Sequence, residues 1–203
     1  AFKRVGIIRV REFAELFNAA KTLDSKYLPK GRQLAIITNA GGFGVMATDT
    51  LVEMGGILGK ISDASVAELD KCLPPFWSKS NPIDILGDAD DQRYADAIQT
   101  CMNDSGIDGL LVIYSPQATS SSEKVAAKVA EVAKHFWKPV ITSWVGGQNV
   151  RKGRDLFYEN NIPTYETPED AVETYLNMYK YSRNLELLYE APSELSLKDA
   201  PPK

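Results

Sequence analysis

The sequence predicts a doubly wound α/β domain, a mainly parallel sheet with helices on both faces. Three observations point there. Short apolar-rich runs at 34–38, 109–114 and 139–144 read as strands, and the continuous run at 34–38 suits a parallel sheet covered on both faces. Amphipathic stretches of roughly 10–15 residues lie between them, which implies right-handed βαβ crossovers. Turns rich in Gly, Pro and Ser lead from strand to helix, the place where such sheets bind ligands.

Taken in order, Phe13, Leu16, Phe17 and Ala20 recur at i, i+3, i+4 and i+7 and predict a lead-in helix over 11–23. Pro29 and Gly31 break the chain before the strand at 34–38. A tight turn over 39–44 precedes a helix over 45–54, then a short strand near 57–61. The next helix is capped by Ser62, or by Ser65 in a capping box with Glu68. Residues 81–87 form a loop holding one short extended piece, and Asp90 or Asp91 opens a helix reaching Asn103. After the strand at 109–114, Val125, Val129, Val132 and Phe136 mark one face of a helix over 121–136. The strand at 139–144 turns at Gly146 and Gly147 into a helix ending near Asn160. A last strand at 163–165 leads to Thr167-Pro168-Glu169-Asp170, a cap, a first-position proline and first-turn acids. Residues 1–183 form the domain; 184–203 read as an acidic, proline-containing tail or linker.

Charge and composition remove several functions. A formal charge of −4 without a Lys/Arg block gives nucleic acid no footing. No apolar run approaches the roughly 18 residues of a membrane span. Cys72 and Cys101 lack metal or redox spacing, so reduced, packing cysteines and a cytoplasmic setting are expected. The chain opens on Ala1, as an excised or processed segment would.

The chemistry concentrates in Asn39, Ala40, Gly41, Gly42, Phe43 and Gly44. Where a strand runs directly into a helix, the first amides lack intrahelical partners and stand at the positive end of the dipole. A phosphate or carboxylate fits such a place; the same glycines also suit a turn needed only for backbone freedom or close packing. Gly42-Phe43-Gly44-Val45-Met46-Ala47 matches the dinucleotide pattern G-x-G-x-x-A, but Asp63, the acid at about the right distance, falls at a helix start. No Gly-Lys-Ser/Thr follows the glycines, which excludes a P-loop.

The run LAIITNAGGFGVMATD over 34–49 resembles the strand, turn and helix that open the last domain of ADP-forming acetyl-CoA synthetases. It is also similar to a segment of the succinyl-CoA synthetase β subunit. Asn81-Pro82-Ile83-Asp84, GLLVIYSPQA over 109–118, Lys138-Pro139-Val140 and Ser143-Trp144-Val145-Gly146-Gly147 follow in the family's order. Ile162-Pro163-Thr164-Tyr165 and Pro168-Glu169-Asp170-Ala171-Val172 complete the series over about 5–183. The resemblance to NDP-forming acyl-CoA synthetases implies a flavodoxin-like fold. It also implies a part in passing a phosphoryl group from an acyl phosphate to a histidine and on to ADP, with CoA taking the acyl group. Family members place the phosphohistidine between two helix amino ends from two domains, and the turn at 39–44 corresponds to the second. The resemblance further implies CoA, ADP/ATP and Mg in the complete enzyme, a CoA-binding domain, a preceding phosphohistidine domain and an ATP-grasp domain or subunit as partners. No catalytic residue or metal ligand is assigned to this segment.

Asn81 and Asp84 correspond to family positions near the active interface, or serve an Asn-Pro turn whose Asp accepts backbone hydrogen bonds. Gln117, Gly146 and Gly147 end strands and are further interface or substrate candidates. Trp144 suits core or interface packing better than a cofactor platform, Arg151 and Arg154 read as solvated helix charges, though either could face an anion, and Ser120-Ser121-Ser122 as a helix entry. The sole histidine, His135, ends a helix away from the glycine turn and is not expected to be catalytic. Two other functions remain open: a ligand-sensing regulatory domain of a synthetase-like protein acetyltransferase, and a free-standing module binding FMN or another small anion.

Overall fold

The computed structural model describes residues 27–189 together with Phe13 and Leu16. In chain order the elements are β1 (Gln33–Thr38), α1 (Gly41–Glu53), β2 (Ile57–Leu58), α2 (Asp63–Cys72), β3 (Ile83–Asp84) and α3 (Asp91–Asn103). They continue with β4 (Gly109–Tyr114), α4 (Ser122–Ala133), β5 (Val140–Trp144), a 3₁₀ turn (Gly147–Val150), α5 (Arg151–Glu159), β6 (Thr164–Tyr165) and α6 (Pro168–Tyr189). Every strand pairing is parallel, and the sheet runs β2-β1-β4-β5-β6.

β3 shares an edge with β2. β2 pairs with the start of β1 (Gln33 with Ile57) and β3 with its end (Thr38 with Asp84). The gap between them is closed by a side chain. Asn81 Oδ1 accepts from the Ile36 amide at 2.9 Å, and Nδ2 donates to the carbonyls of Leu34 (2.9 Å) and Gly59 (2.8 Å). Counted as one broken edge strand, β2 and β3 give the flavodoxin-like order 2-1-3-4-5.

Strand alternation builds two cores. Leu34, Ile36, Leu111, Ile113 and Ile141 meet Ala47 and Leu51 of α1 and Val172, Tyr175 and Leu176 of α6. Ala35, Ile37, Leu110, Val112, Tyr114 and Trp144 meet Leu69 of α2, Tyr94 and Ile98 of α3, Val125 and Val129 of α4 and Phe157 of α5. At about 1.5–3 kcal/mol for each large apolar side chain buried, these two layers are the main stabilising term. Trp144 is wholly buried, stacked on Tyr114 with centroids 5.2 Å apart and edge-on to Phe157 at 4.5 Å.

Several boundaries differ from expectation. α1 starts at Gly41, four residues before the expected Val45, so the glycines form its first turn. Ser62 alone caps α2, accepting from the Ser65 amide at 3.2 Å, because the Ser65 hydroxyl bonds Asp104 Oδ2 at 2.6 Å. α4 ends at Ala133, where His135 N and Phe136 N bond three residues back and tighten the chain. A 3₁₀ turn comes between Gly146 and α5. α6 runs to Tyr189, past the expected boundary at 183. Of the lead-in helix over 11–23, only Phe13 and Leu16 are described; both are helical and both exposed. The tail beyond 189 lies outside the described residues. Among those described, no helix is long and apolar enough to cross a membrane.

Candidate functional site

β1 passes into α1 on one face of the sheet, whereas its neighbour β4 passes into α4 on the other. A crevice opens between their carboxyl ends, the switch point of a doubly wound sheet. Asn39 forms its floor. Its Nδ2 donates to the Ser115 carbonyl at 2.8 Å and its Oδ1 accepts from the Ser115 amide at 2.9 Å, so this buried side chain ties the two strand ends together.

Ala40 is the N-cap of α1, in extended backbone (φ −142°, ψ 97°), and has no side chain to cap with. Thr38 Oγ1 holds its amide at 3.0 Å, and the Ala40 carbonyl accepts from Phe43 N at 3.0 Å and Gly44 N at 3.4 Å. Among the described residues, no acceptor is bonded to the amides of Gly41 or Gly42. Two donors thus stand open at the positive end of a 13-residue helix.

The three glycines have different reasons. A Cβ on Gly41 would lie 2.6 Å from Asp84 Oδ2, and one on Gly44 would lie 3.0 Å from Thr38 Cγ2 and 3.3 Å from Pro82 Cβ. Close packing disfavours a side chain at both. A Cβ on Gly42 would meet nothing within 4 Å, and its backbone φ is not positive. The fold has no need of glycine there.

Asp84 stands beside this turn. Its Oδ1 accepts from Leu86 N at 3.0 Å, its own amide donates to Ser78 Oγ at 2.9 Å, and its Oδ2 faces Gly41. Leu86 holds a left-handed φ of 68°, a conformation costing a bulky side chain of order 1 kcal/mol or more. One flank of the helix end therefore already carries negative charge, so a second anion has to approach from the Gly42 side. Beneath, burial holds the Tyr94 phenol well above its ordinary pKa, with Tyr114 and Asp84 adding to the effect. It stays neutral and donates to the Ile113 carbonyl at 3.0 Å.

Gln117 lies over Gly87, whose Cβ would be 3.6 Å from Gln117 Cδ and 3.8 Å from the Asn39 carbonyl; residues 39, 87 and 117 thus converge. Gly146 (φ 148°) passes so close to Pro116 that a Cβ would approach its Cγ to 2.7 Å, and Gly147 is also left-handed (φ 56°). These two glycines shape the end of β5 beside that of β4. Arg154 is not simply solvated: it pairs with Glu166 and donates to the Gly147 carbonyl at 3.0 Å. Of the two readings of Asn81 and Asp84, the structure shows the turn: the Asn81 amide is held at the sheet edge and Asp84 accepts from the Leu86 amide. His135 follows α4 at the opposite end of the sheet. Ser121 caps α4 through the Lys124 amide, a helix entry as expected.

Sequence reasoning missed Ser78, Leu86 and Gly87. A left-handed leucine leaves no compositional signal, whereas Ser78 in a Ser/Pro-rich turn could have been suspected. Two open pockets lie elsewhere: one of about 380 Å³ lined by Lys138, Val140, Ile162, Pro163 and Met178, at the amino ends of β5 and β6, and one of about 710 Å³ between α2 and α3, lined by Ser62, Ser65, Asp96 and Asp104.

The Ligase-CoA domain model matches residues 34–189. The alpha subunit of acetate–CoA ligase (ADP-forming) I from Pyrococcus furiosus is 32% identical over 90% of this chain and 40% of its own length. The acetate–CoA ligase (ADP-forming) of Methanocaldococcus jannaschii is 40% identical over 90% of this chain and 26% of its own. Among solved structures, the apo acetyl-coenzyme A synthetase 1 of Ca. Korarchaeum cryptofilum superimposes with a TM-score of 0.86 at 32% identity, covering 92% of this chain and 41% of that one. The same synthetase in complex with phosphate and ADP gives 0.85. The chain thus spans less than half the length of the relatives it matches. With this fold, this matched segment and these relatives, the chain belongs to the Ligase-CoA domain family, homologous to the corresponding part of ADP-forming acetate–CoA ligases.

Proposed function

We propose that this chain is the domain of an ADP-forming acyl-CoA synthetase whose α1 amino end stabilises a phosphoryl group carried on a histidine of a neighbouring domain. The complete enzyme interconverts acyl-CoA, ADP and phosphate with carboxylic acid, ATP and CoA. A CoA-binding domain and an ATP-grasp domain or subunit, with its nucleotide and Mg²⁺, supply what this segment lacks. The setting is cytoplasmic, consistent with two free cysteines.

Gly42 carries the reading. It is the weakest helix former short of proline, placed where neither packing nor φ requires it and beside two open amides. A bare backbone there lets an anion reach the amides from the side that Asp84 leaves free. The amides are fixed before the phosphoryl arrives, so no reorganisation accompanies its charge, and exclusion of water strengthens the interaction. Exposed, a helix end favours an anion by about 0.3–1 kcal/mol; partly buried, by up to about 2 kcal/mol.

Gly42→Asp in the complete enzyme is the test. Because a side chain there projects into open space, the fold is kept while a like charge meets the phosphoryl. Histidine phosphorylation should fall by about a hundredfold, the scale of a lost oxyanion donor. Unchanged phosphorylation and turnover would remove the proposal.

A further inference from the structure

Where backbone pairing in the sheet stops, side-chain carboxamides take over. Asn39 accepts from the Ser115 amide at 2.9 Å and donates to its carbonyl at 2.8 Å. Asn81 does the same between β2 and β3, accepting from Ile36 N and donating to the Leu34 carbonyl, both at 2.9 Å. A carboxamide suits such a gap because it sets an acceptor beside donors, the complement of a peptide N–H and C=O. Beside Val140 a gap of the same kind is open.

Between β5 and β6 the pairing starts one rung late. Thr142 faces Thr164, and its amide donates to the Pro163 carbonyl at 2.9 Å. In a parallel ladder the rung before this one would take the Val140 amide to the Asn161 carbonyl, and an amide at position 163 to the Val140 carbonyl. Residue 163 is proline and has no N–H, and the chain before it turns aside, Ile162 N donating to the Phe157 carbonyl at 2.9 Å. On its other side β5 meets β4 through Leu110, whose amide donates to the Pro139 carbonyl at 3.0 Å, so both backbone groups of Val140 face β6. Among the described residues, neither group has a bonded partner, although Val140 is only 8% exposed. Buried backbone groups left this way are costly, and a ligand that satisfies both recovers that cost.

The open rung lies in the pocket of about 380 Å³, which Val140 lines together with Asn161, Ile162 and Pro163 across the gap. That volume is in the range of small-molecule sites, about 300–1,000 Å³. Pro139, Met178 and Tyr27 add apolar and aromatic wall, suited to a flat ring. We infer that this notch binds a small carboxamide with a flat apolar body. Its carbonyl accepts from Val140 N, its N–H donates to the Val140 carbonyl, and its ring lies along Ile162 and Met178. A carboxylate fits less well, because one of its oxygens would face the Val140 carbonyl with no proton between them. Nor do the lysines of the pocket reverse that choice. Lys138 Nζ is committed to the Asp104 carbonyl at 2.5 Å, and Lys134 is exposed, where water screens its charge. The site is at the opposite end of the sheet from Gly42 and is independent of the function proposed above.

The experiment uses the full chain, labelled for amide NMR, with benzamide as the probe and benzoate as the acid of the same shape. In the free chain the Val140 amide should exchange its hydrogen about tenfold faster than that of Thr142, which is bonded to Pro163. Benzamide should shift the Val140 resonance saturably, with a Kd on the order of 1 mM, and slow that exchange. Benzoate should bind about tenfold more weakly. Pro163→Ala supplies the missing N–H, which competes for the Val140 carbonyl, and should weaken benzamide by about tenfold. A Val140 amide as protected as that of Thr142 overturns the open rung and the site with it. So does the lack of a saturable Val140 shift up to about 10 mM benzamide. Benzoate binding as tightly as benzamide overturns the ligand class, and an affinity unchanged in Pro163→Ala overturns the pairing proposed for it. Should that variant unfold, the comparison of amide with acid on the wild-type chain decides.

Discussion

The two ends of the sheet treat their polar groups in opposite ways. At the amino end, the Val140 rung apart, they bond one another. Buried Asp104 accepts from Ser62 N at 2.7 Å, Ser65 Oγ at 2.6 Å and Gly106 N at 2.8 Å, and its carbonyl accepts from Lys138 Nζ at 2.5 Å. Asp108 accepts from Gln33 N at 3.0 Å, and Tyr175 donates to the Gly31 carbonyl at 3.0 Å. At the carboxyl end, Asn39 satisfies Ser115, but the Gly41 and Gly42 amides stay open and Asp84 faces them with an oxygen to which no bond is assigned. Two pockets lie at the first end and the proposed chemistry at the second. Open donors are what the proposed site calls for. Saturated bonding around Asp104 marks the end that holds the fold.

This contrast breaks most visibly under mutation. Asp104→Ala strands three donors, the buried Ser65 hydroxyl and the part-buried amides of Ser62 and Gly106; at about 1–3 kcal/mol for a buried donor and less for the others, unfolding free energy should drop by about 3 kcal/mol in urea titration. Phosphoryl transfer at 25 °C should hardly change. Gly42→Asp should do the reverse, lowering transfer by about a hundredfold with stability kept within about 0.5 kcal/mol. If Asp104→Ala lowered transfer as strongly as stability, the division between the two ends would be false.

The same carboxylate predicts a pH dependence. Burial pushes the Asp104 pKa up, but donors from Ser65, Ser62 and Gly106 outweigh it and hold the group below its ordinary value. A depressed folded pKa gives stability that is present above the unfolded value, about 3.9, and lost as pH falls through the folded one. The difference in stability between wild type and Asp104→Asn should therefore be full at pH 6 and shrink below about pH 4. A difference that stayed constant to pH 2.5 would show that Asp104 is not held ionised by these donors.

Gly153→Ala probes the packing between α4 and α5. Its Cβ would come within 2.5 Å of Ser122 Oγ and 2.7 Å of Trp144 Nε1, two buried atoms without partners. Overpacking of this kind costs about 1–3 kcal/mol, measurable as a lower midpoint of unfolding.

How far the sequence carried depended on whether the controlling partner was local. β1 and β4 were legible because a strand buried on both faces needs a nearly unbroken apolar run, and β5 because Pro139 and the Gly146-Gly147 turn bound a short, β-branched stretch. The start of α1 was not. Gly41, Gly42 and Gly44 are poor helix formers, and the cap comes from Thr38 and the Ala40 backbone, not from a side-chain signature. A local pattern offers Ser62 and Ser65 alike as caps because Asp104, 39 residues from Ser65, is invisible to it. Around Asn81 the pattern fits an interface position or a turn equally, since its partners Leu34, Ile36 and Gly59 come to it only when β2 and β3 share an edge. The turn at 39–44 stood out from the sequence. What could not be read was which of its glycines had a structural cause, since that depends on Asp84, Thr38 and Pro82.

That last distinction gives the finest test of the comparison. Ala is a better helix former than Gly and restricts the unfolded chain, and Gly42 offers it open space at an ordinary φ. Gly42→Ala should therefore raise stability by about 0.5 kcal/mol. A residue serving only the fold would have no reason to remain glycine against that gain. Where a docked phosphoryl needs bare backbone, the added methyl should lower histidine phosphorylation by several-fold without adding charge, and Gly42→Ser should follow Gly42→Ala instead of Gly42→Asp. Gain in stability with no loss of transfer would mean that the methyl fits beneath the docked group. The open amides would then have to act from further out than the Gly42 α-carbon.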